Sequence, residues 1–188
     1  EGGWAMMEAE AEREVRGQTL LLSSVPLLGP RLSLVEALMV AVPRMQKYED
    51  DLRDQWQSRA HRDEWRRMLR LVRDMARRDQ DDVIAISGEI HLATRAEMDL
   101  GDGMHLHQLV ASGITHRAPP KAWARVLGAL SWLGESPWAE HPIRVARLPG
   151  QRTRYVAERN YLVLERQDDT CRAWWELETS GTTPALNI

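Results

Sequence analysis

The densest group of residues that could do chemistry is Ser87-Gly88-Glu89-Ile90-His91. It directly follows Val83-Ile84-Ala85-Ile86, an apolar, β-branched run typical of a central strand in a covered sheet. Open α/β sheets bind ligands at the carboxyl ends of such strands. If the segment stays extended, Glu89 and His91 point to the same side and offer one oxygen and one nitrogen ligand. The pair suits a metal ion or two adjacent metals, and the alternative is a strand-end turn with a solvated Glu89 and a packed His91.

A second group is Asp50-Asp51-Leu52-Arg53-Asp54-Gln55-Trp56, followed by His61, Arg62 and Glu64. One interpretation is a helix start that presents Asp, Arg and Trp side chains to an anionic ligand or a metal. The other is a solvated helix start, where negative charge is favoured by the helix dipole. Three carboxylates would repel a phosphate there unless a cation lies between them.

Three weaker signals involve histidine or serine side chains. His116 follows an apolar run and is interpreted first as a surface or core histidine. His105 and His107 alternate on one strand face, but no third metal ligand lies nearby in the sequence. Ser23-Ser24 follows a strand, yet no Gly-x-Ser-x-Gly surrounds it, which excludes a hydrolase elbow.

Periodicity predicts the elements that must position these residues. Residues 50–78 contain neither Gly nor Pro and have one apolar face, which predicts a long amphipathic helix. Further helices are predicted over 4–16, 33–42 and 121–133. Strands are predicted over 19–25, 83–87, 92–98, 104–110, 143–148, 154–165 and 171–178, with a loop over 134–142. The tight turn Gly101-Asp102-Gly103 predicts that the strands over 92–98 and 104–110 form a hairpin. Alternating helices and strands indicate an α/β fold, and no repeat or linker suggests a domain boundary within residues 1–188.

Composition narrows the function classes. The 188 residues are 43% hydrophobic and 28% charged, which excludes a disordered chain. The formal net charge of -3 gives no global basic field for nucleic acid, so sequence-specific nucleic-acid binding is not expected. No apolar stretch is long enough for a transmembrane helix. The single cysteine excludes an internal disulfide and a cysteine-based zinc site.

Aromatic usage is lopsided, with 8 Trp, 3 Tyr and no Phe. Indoles must therefore supply the large pieces of the core. Five tryptophans are interpreted as packing residues: Trp65, Trp123, Trp132, Trp174 and Trp175.

Five short motifs follow one another along the chain between about Leu20 and Glu178. They are Leu21-Leu22-Ser23-Ser24-Val25-Pro26-Leu27, the Asp50–Trp56 helix with Ala60-His61-Arg62-Asp63-Glu64, Ser87–His91, Ala111-Ser112-Gly113-Ile114 and Glu158-Arg159-Asn160-Tyr161-Leu162. Together they resemble the alkaline phosphatase D (PhoD-like) metallophosphatases, a branch of the calcineurin-like metallophosphoesterases. Ser-Gly-Glu-Ile-His corresponds to the hallmark Ser-Gly-Asp-Val-His of that family.

The resemblance implies a four-layer α/β/β/α sandwich around two metal ions, drawn from Fe, Ca, Mn or Zn. By that analogy Glu89 binds one metal and His91 the other, and the metals generate a hydroxide near neutral pH. His61 and Arg62 are candidate phosphate contacts, and Asp54 and Trp56 are candidate substrate-binding residues.

Two features depart from the family pattern. Glu89 stands where the family usually has Asp, and its side chain is one methylene longer. The other metal ligands of the family lie in upstream segments that have no counterpart here. The expectation is therefore the C-terminal part of a larger metallophosphoesterase domain, with an apolar surface where the upstream half would pack.

Two functions remain open at this point. The first is metal-dependent hydrolysis of phosphate mono- or diesters, with a small molecule, nucleotide or phospholipid as substrate and the upstream half as partner. The second is a non-catalytic remnant or binding module that keeps the fold without a complete metal site. A cytoplasmic location is slightly favoured. Export stays possible, because many relatives carry a twin-arginine signal and the segment that would show one is not in this sequence.

Overall fold

The fold was obtained as a computed structural model, which describes residues 2–13, 17–30, 55–88, 91–167 and 170–188. It is a mixed α/β structure, which confirms the predicted class. Among the described residues, no helix has the length and apolar character needed to cross a membrane. The predicted helix over 33–42 lies outside the described ranges.

The described part contains three α-helices: α1 (Gly2–Ala11), α2 (Arg62–Asp79) and α3 (Lys121–Leu130). Short 3-10 turns precede α2 at Arg59–His61 and follow α3 at Ser131–Leu133. The strands are β1 (Thr19–Ser23), β2 (Val83–Gly88), β3 (Ala93–Gly101), β4 (Met104–Ala111), β5 (Glu135–Trp138), β6 (His141–Ala146), β7 (Tyr155–Val156), β8 (Asn160–Gln167), β9 (Thr170–Leu177), β10 (Gly181–Thr182) and β11 (Leu186–Asn187).

The main sheet has the strand order β1-β2-β4-β3-β6-β5, with β7 paired to β3. Strands β1, β2 and β4 are parallel neighbours, and the pairs β4–β3, β3–β6 and β6–β5 are antiparallel. Val83, Ile84 and Ala85 of β2 are each at most 2% exposed, which confirms the predicted central strand. The predicted hairpin around Gly101-Asp102-Gly103 is also present, as β3 and β4.

A smaller antiparallel sheet packs on one face of the main sheet. It is built on the β8–β9 hairpin, with β10 and β11 both paired to β9. Ile84 and Leu109 of the main sheet share a buried cluster with Ala173 and Trp175 of β9. The Trp175 indole N–H donates to the Val110 carbonyl oxygen at 2.9 Å, which ties the two sheets together.

Helix α2 covers the opposite face of the main sheet. Its apolar residues Trp65, Leu69 and Val72 lie in one cluster with Val83 and Ala85 of β2. Side chains alternate between the two faces of a strand, so β2 serves both clusters. The described layers are therefore helix, mixed sheet and antiparallel sheet.

The predicted start of the long helix is wrong. Residues 55–58 form turns, and α2 begins only at Arg62. Gln57 donates its side-chain N–H to the Leu27 carbonyl oxygen at 2.6 Å, and Trp65 donates its indole N–H to the same oxygen at 2.8 Å. These tertiary bonds hold residues 55–58 in turns where local propensity allows a helix. Asp50 and Asp51 lie outside the described ranges.

Two strand predictions also need correction. The stretch 134–142, predicted as loop, contains β5 and the start of β6. Pro137 sits in β5, at the edge of the sheet, where a missing N–H is tolerated. The single strand predicted over 154–165 is divided into β7 in the main sheet and β8 in the smaller one.

The tryptophans serve different purposes. Trp65 and Trp175 are fully buried, which confirms their predicted packing role. Trp132 is 72% exposed and lies 4.2 Å beneath the Arg154 guanidinium, so its interpretation as core packing is wrong. On the edge strand β1, Leu20 and Leu22 are 50% and 77% exposed, and the surface expected for an upstream half stays a prediction.

Candidate functional site

The carboxyl ends of the three parallel strands lie side by side. Ser23 of β1 pairs with Ser87 of β2, and Gly88 of β2 pairs with Ala111 of β4. The chain segments that follow β1, β2 and β4 therefore leave the sheet at one edge. This is the edge at which open α/β sheets bind ligands.

His91 lies just beyond β2 in an unusual backbone conformation. Its φ of 61° falls in the left-handed region, which is uncommon for residues other than Gly. Gln80 and Asp102, the other such described residues, belong to a helix cap and a tight turn. Strained conformations of this kind cluster at functional sites because the surrounding structure must hold them in place. The imidazole of His91 is half-buried.

His91 is stacked on His116, which comes from the segment after β4. The two ring centroids are 3.8 Å apart and the planes differ by 12°. His116 Nδ1 lies 3.0 Å from the Arg117 carbonyl oxygen, which can only accept, so Nδ1 carries the proton of this contact. In the tautomer that carries this proton on Nδ1, Nε2 is the nitrogen that can accept a hydrogen bond or bind a metal.

The segment that carries His116 is anchored to the start of β8. The Ser112 N–H donates to Asn160 Oδ1 at 3.1 Å, and the Ser112 hydroxyl donates to the Glu158 carbonyl oxygen at 3.0 Å. The Asn160 N–H donates to the Gly113 carbonyl oxygen at 3.1 Å. Asn160 is 1% exposed. These hydrogen bonds hold the backbone at Ser112 and Gly113, in the segment that leads to His116.

The Glu158 side chain, just before β8, also anchors the turn at Thr179 and Ser180. One carboxylate oxygen accepts from the Thr179 N–H at 3.0 Å and from the Ser180 N–H at 2.9 Å, and the other accepts from the Ser180 hydroxyl at 2.7 Å. Burial by itself raises the pKa of this carboxyl. The bonds from Ser180 and Thr179 and the charge of Lys121 outweigh burial and hold the pKa below its ordinary value of 4.5. Glu158 is therefore an ionised, fully bonded carboxylate at neutral pH.

A groove of about 1330 Å³ opens beside the stacked histidines. One wall is the 115–121 segment, and the other is formed by residues 157–159 and 178–179. We call it the His91 groove. Three cations line it, Arg117, Lys121 and Arg159, and all three are exposed. Arg159 is paired with Glu178 through two hydrogen bonds. This pairing raises the pKa of Arg159 and lowers the pKa of Glu178, so it favours the ionised form of both side chains.

Both carboxylates of the groove are thus already engaged. Arg117 and Lys121 remain as exposed cations beside two imidazoles, in a chain whose net charge is negative. With three cations against two carboxylates, the lining carries a net positive charge, which concentrates ligands of the opposite sign. The arrangement can accept an anion without a metal.

Trp56 and Ser23 meet at the same sheet edge. The Trp56 indole N–H donates to Ser23 Oγ at 3.4 Å, and the indole packs against the core on the α2 side. The Ser23 hydroxyl donates to the Val25 carbonyl oxygen at 2.7 Å. Trp56 lies outside the lining of the His91 groove. Its predicted role in substrate binding stays a prediction.

His61 and Arg62 precede and begin α2. His61 is exposed in the 3-10 turn, whereas Arg62 Nη2 donates to Glu135 Oε1 of β5 at 3.2 Å. Neither residue lines the His91 groove. Their predicted contact with phosphate stays a prediction, and Asp54 lies outside the described residues.

The remaining histidine pair lies at the opposite edge of the sheet. His107 Nε2 is 3.1 Å from Asp82 Oδ2, and the His105 N–H donates to Asp82 Oδ1 at 2.6 Å. These contacts tie the start of β4 to the start of β2. Both histidines lie near the amino ends of β2 and β4, away from the carboxyl end of β2 that His91 follows.

The described residues do not complete a metal site. Within the ranges that the structure describes, no three His, Cys, Asp or Glu side chains are grouped to hold a metal ion. His91 is described and Glu89 is not, so the predicted Glu89–His91 pair remains a prediction.

Several residues of the site were missed by sequence reasoning. Lys121 and Arg117 belong to no sequence motif, and isolated surface cations are too common to indicate a site. Glu158 and Asn160 were noted only within a family-like strand, although a buried Glu and Asn imply hydrogen-bonded partners. Those partners, 22 and 48 residues away, had no local signal in the sequence.

Comparisons with known proteins do not supply an identity. No family model matches the chain, and neither a curated protein nor a solved structure matches it.

Proposed function

We propose that the chain is the C-terminal part of a PhoD-like metallophosphoesterase and takes part in metal-dependent hydrolysis of phosphate esters. The proposal includes the calcineurin-like α/β/β/α sandwich. Three of its four layers correspond to the described order of helix, mixed sheet and antiparallel sheet.

One observation carries the proposal. His91 follows the central strand β2 at the ligand-binding edge, in a left-handed backbone conformation, and is stacked on His116 at a cation-lined groove. Imidazole is a ligand for Fe, Mn and Zn, and the cations suit the phosphoryl oxygens of an ester. The same edge thus offers a metal ligand and a place for the anion.

A two-metal site needs more ligands than Glu89 and His91. The proposal therefore requires an upstream segment that carries the others. When bound, the metals would supply Lewis-acid stabilisation and a hydroxide at neutral pH. Arg117 and Lys121 would hold the ester next to His91.

The test uses the complete protein with Mn²⁺, Zn²⁺, Ca²⁺ or Fe²⁺ and chromogenic phosphate mono- and diesters. His91→Ala should lower kcat/KM by about 100-fold or more, because a catalytic metal supplies several kcal/mol. His105→Ala is the matched control, since its imidazole lies at the opposite sheet edge. Metal content measured on both variants should fall only for His91→Ala.

Two results would overturn the proposal. One is a metal-free complete protein that hydrolyses neither ester with any of the four metals. The other is a coding sequence that lacks the upstream Gly-Asp and Asp-Asp-His segments. Phosphate binding without hydrolysis would instead support the non-catalytic binding module.

A further inference from the structure

A second cleft of about 320 Å³ adjoins the His91 groove. It lies between the start of α3 and the 150–153 turn, and shares Lys121 and Glu158 with the groove. We call it the Arg125 cleft. Because the two depressions share lining residues, one ligand can extend from the first into the second.

Three cations line the Arg125 cleft. Lys121 and Arg125 are one turn apart on α3, which places them on the same side of the helix, and Arg152 comes from the opposite turn. All three are exposed. Among the described residues, no carboxylate forms an ion pair with Arg125 or Arg152.

The carboxylate of the cleft offsets only part of this positive charge. Glu158 accepts three hydrogen bonds from Thr179 and Ser180, and Lys121 is the cation whose charge acts on it. Counting Lys121, Arg125 and Arg152 against Glu158, the lining has a net charge of about +2. The whole chain has a net charge of -3, so positive charge is concentrated here.

This charge arrangement works against the helix. Lys121 occupies the first turn of α3, which contains no acidic residue, although the helix dipole favours acidic side chains there. Like charges at positions i and i+4, as in Lys121 and Arg125, are also destabilising. Residues that break a local rule without a structural gain are expected at functional sites. A bound anion would relieve both penalties.

We propose that the Arg125 cleft is an anion-binding subsite for a second phosphate group of the ligand. The first phosphate would occupy the His91 groove, and Lys121 would lie between the two. The inference rests on the proposed function for its first phosphate. It names the substrate class as phosphate esters that carry a second phosphate group, either in a diphosphate or on another hydroxyl of the same alcohol. Binding to the subsite itself requires no metal.

The binding test uses the complete protein in EDTA, with inorganic pyrophosphate and inorganic phosphate as probes in isothermal titration calorimetry. Wild type should bind pyrophosphate more tightly than phosphate, with an affinity that falls as salt is added. Lys121→Gln combined with Arg125→Gln should weaken pyrophosphate binding by about tenfold or more, because charge-assisted hydrogen bonds are lost.

The matched control is Arg70→Gln combined with Arg144→Gln. It removes the same charge from two exposed sites, on α2 and β6, that line neither depression. Equal weakening in both double variants would overturn the subsite, since the effect would then come from net charge. Wild-type protein that does not discriminate pyrophosphate from phosphate would overturn it too. Urea midpoints no lower than that of wild type would show that all variants are folded.

A second measurement separates this inference from the proposed function. Pyrophosphate binding that depends on Lys121 and Arg125, without hydrolysis of any ester, would keep the subsite and reject the enzyme. Hydrolysis that depends on His91 but shows the same preference between singly and doubly phosphorylated esters in wild type and the Lys121/Arg125 variant would keep the enzyme and reject the subsite.

Discussion

Gln108 Oε1 accepts a hydrogen bond from the Leu27 N–H at 2.8 Å, across 81 residues of sequence. The amide nitrogen of the same side chain donates to Ser87 Oγ at 3.1 Å and to the Ala85 carbonyl oxygen at 3.2 Å. Gln108 has no exposed surface. One buried amide thus joins the chain after β1 to the end of β2, just ahead of the candidate site.

We expect Gln108→Leu to lower the free energy of unfolding by about 2–4 kcal/mol, because it leaves the buried Leu27 N–H without its acceptor and removes the bonds to Ser87 and Ala85. Urea denaturation measures the loss. Gln167→Leu, at an exposed position on β8, is the control and should change stability by less than about 0.5 kcal/mol. A loss below about 1 kcal/mol for Gln108→Leu would show that the network is not a buried, satisfied one.

Trp175 allows packing and hydrogen bonding to be separated. Trp175→Phe keeps a large ring but loses the bond to the Val110 carbonyl oxygen, and should cost about 1–3 kcal/mol. Trp175→Ala also opens a cavity between the sheets and should cost about 3–5 kcal/mol. Thermal and urea unfolding give both values. Trp132→Ala, at a 72% exposed indole, should cost less than about 1 kcal/mol, and equal losses at both positions would contradict the assigned layers.

Glu158 should make stability depend on pH. Its pKa is lowered on folding, so ionised Glu158 stabilises the native state above the unfolded pKa of about 4.5. That contribution is lost as the pH falls through the folded pKa. Denaturation at several pH values between neutral and acidic should therefore show wild type losing stability faster than Glu158→Gln below about pH 4.5.

The exposed pair of Glu178 and Arg159 is the comparison for that pH series. Its hydrogen bonds also lower the pKa of Glu178, but both side chains are solvated, so added salt should flatten its contribution. The Glu158 contribution should persist in salt, because backbone N–H groups supply much of it. Identical pH profiles for wild type and Glu158→Gln would refute the assignment.

Cys171 should be unreactive in the native protein. It is 3% exposed, and burial raises the pKa of its thiol against the smaller effect of the Arg166 charge. The thiolate is the reactive form, so labelling by a thiol reagent at neutral pH should proceed only as the protein unfolds. Labelling rates with increasing urea measure this. A native labelling rate equal to that of unfolded protein would contradict the burial of Cys171.

Short sequence patterns predicted those helices, strands and turns whose formation depends on neighbouring residues in the chain. The apolar run at Val83–Ile86 identified the central strand, and the Gly101–Gly103 turn identified the β3–β4 hairpin. The amphipathic face of α2 was also identified, since apolar side chains at helical spacing record which side is buried. The same reasoning missed β5, whose edge position depends on pairing with β6.

The candidate site shows where local information ends. Its location at the carboxyl end of β2 follows from the sequence, because strand polarity and the α/β rule together define that edge. Its composition does not: His91 and His116 are 25 residues apart and stack only because β2 and β4 are parallel neighbours.

The sequence by itself determined the α/β class, the central strand and the position of His91 beyond it, because hydrophobic periodicity is encoded residue by residue. Tertiary structure alone decided where α2 begins, through the bonds of Gln57 and Trp65 to Leu27. It also brought Lys121 and Glu158 beside the histidines. Such long-range contacts are chosen by the packing of whole layers, a free energy that no local window of sequence contains.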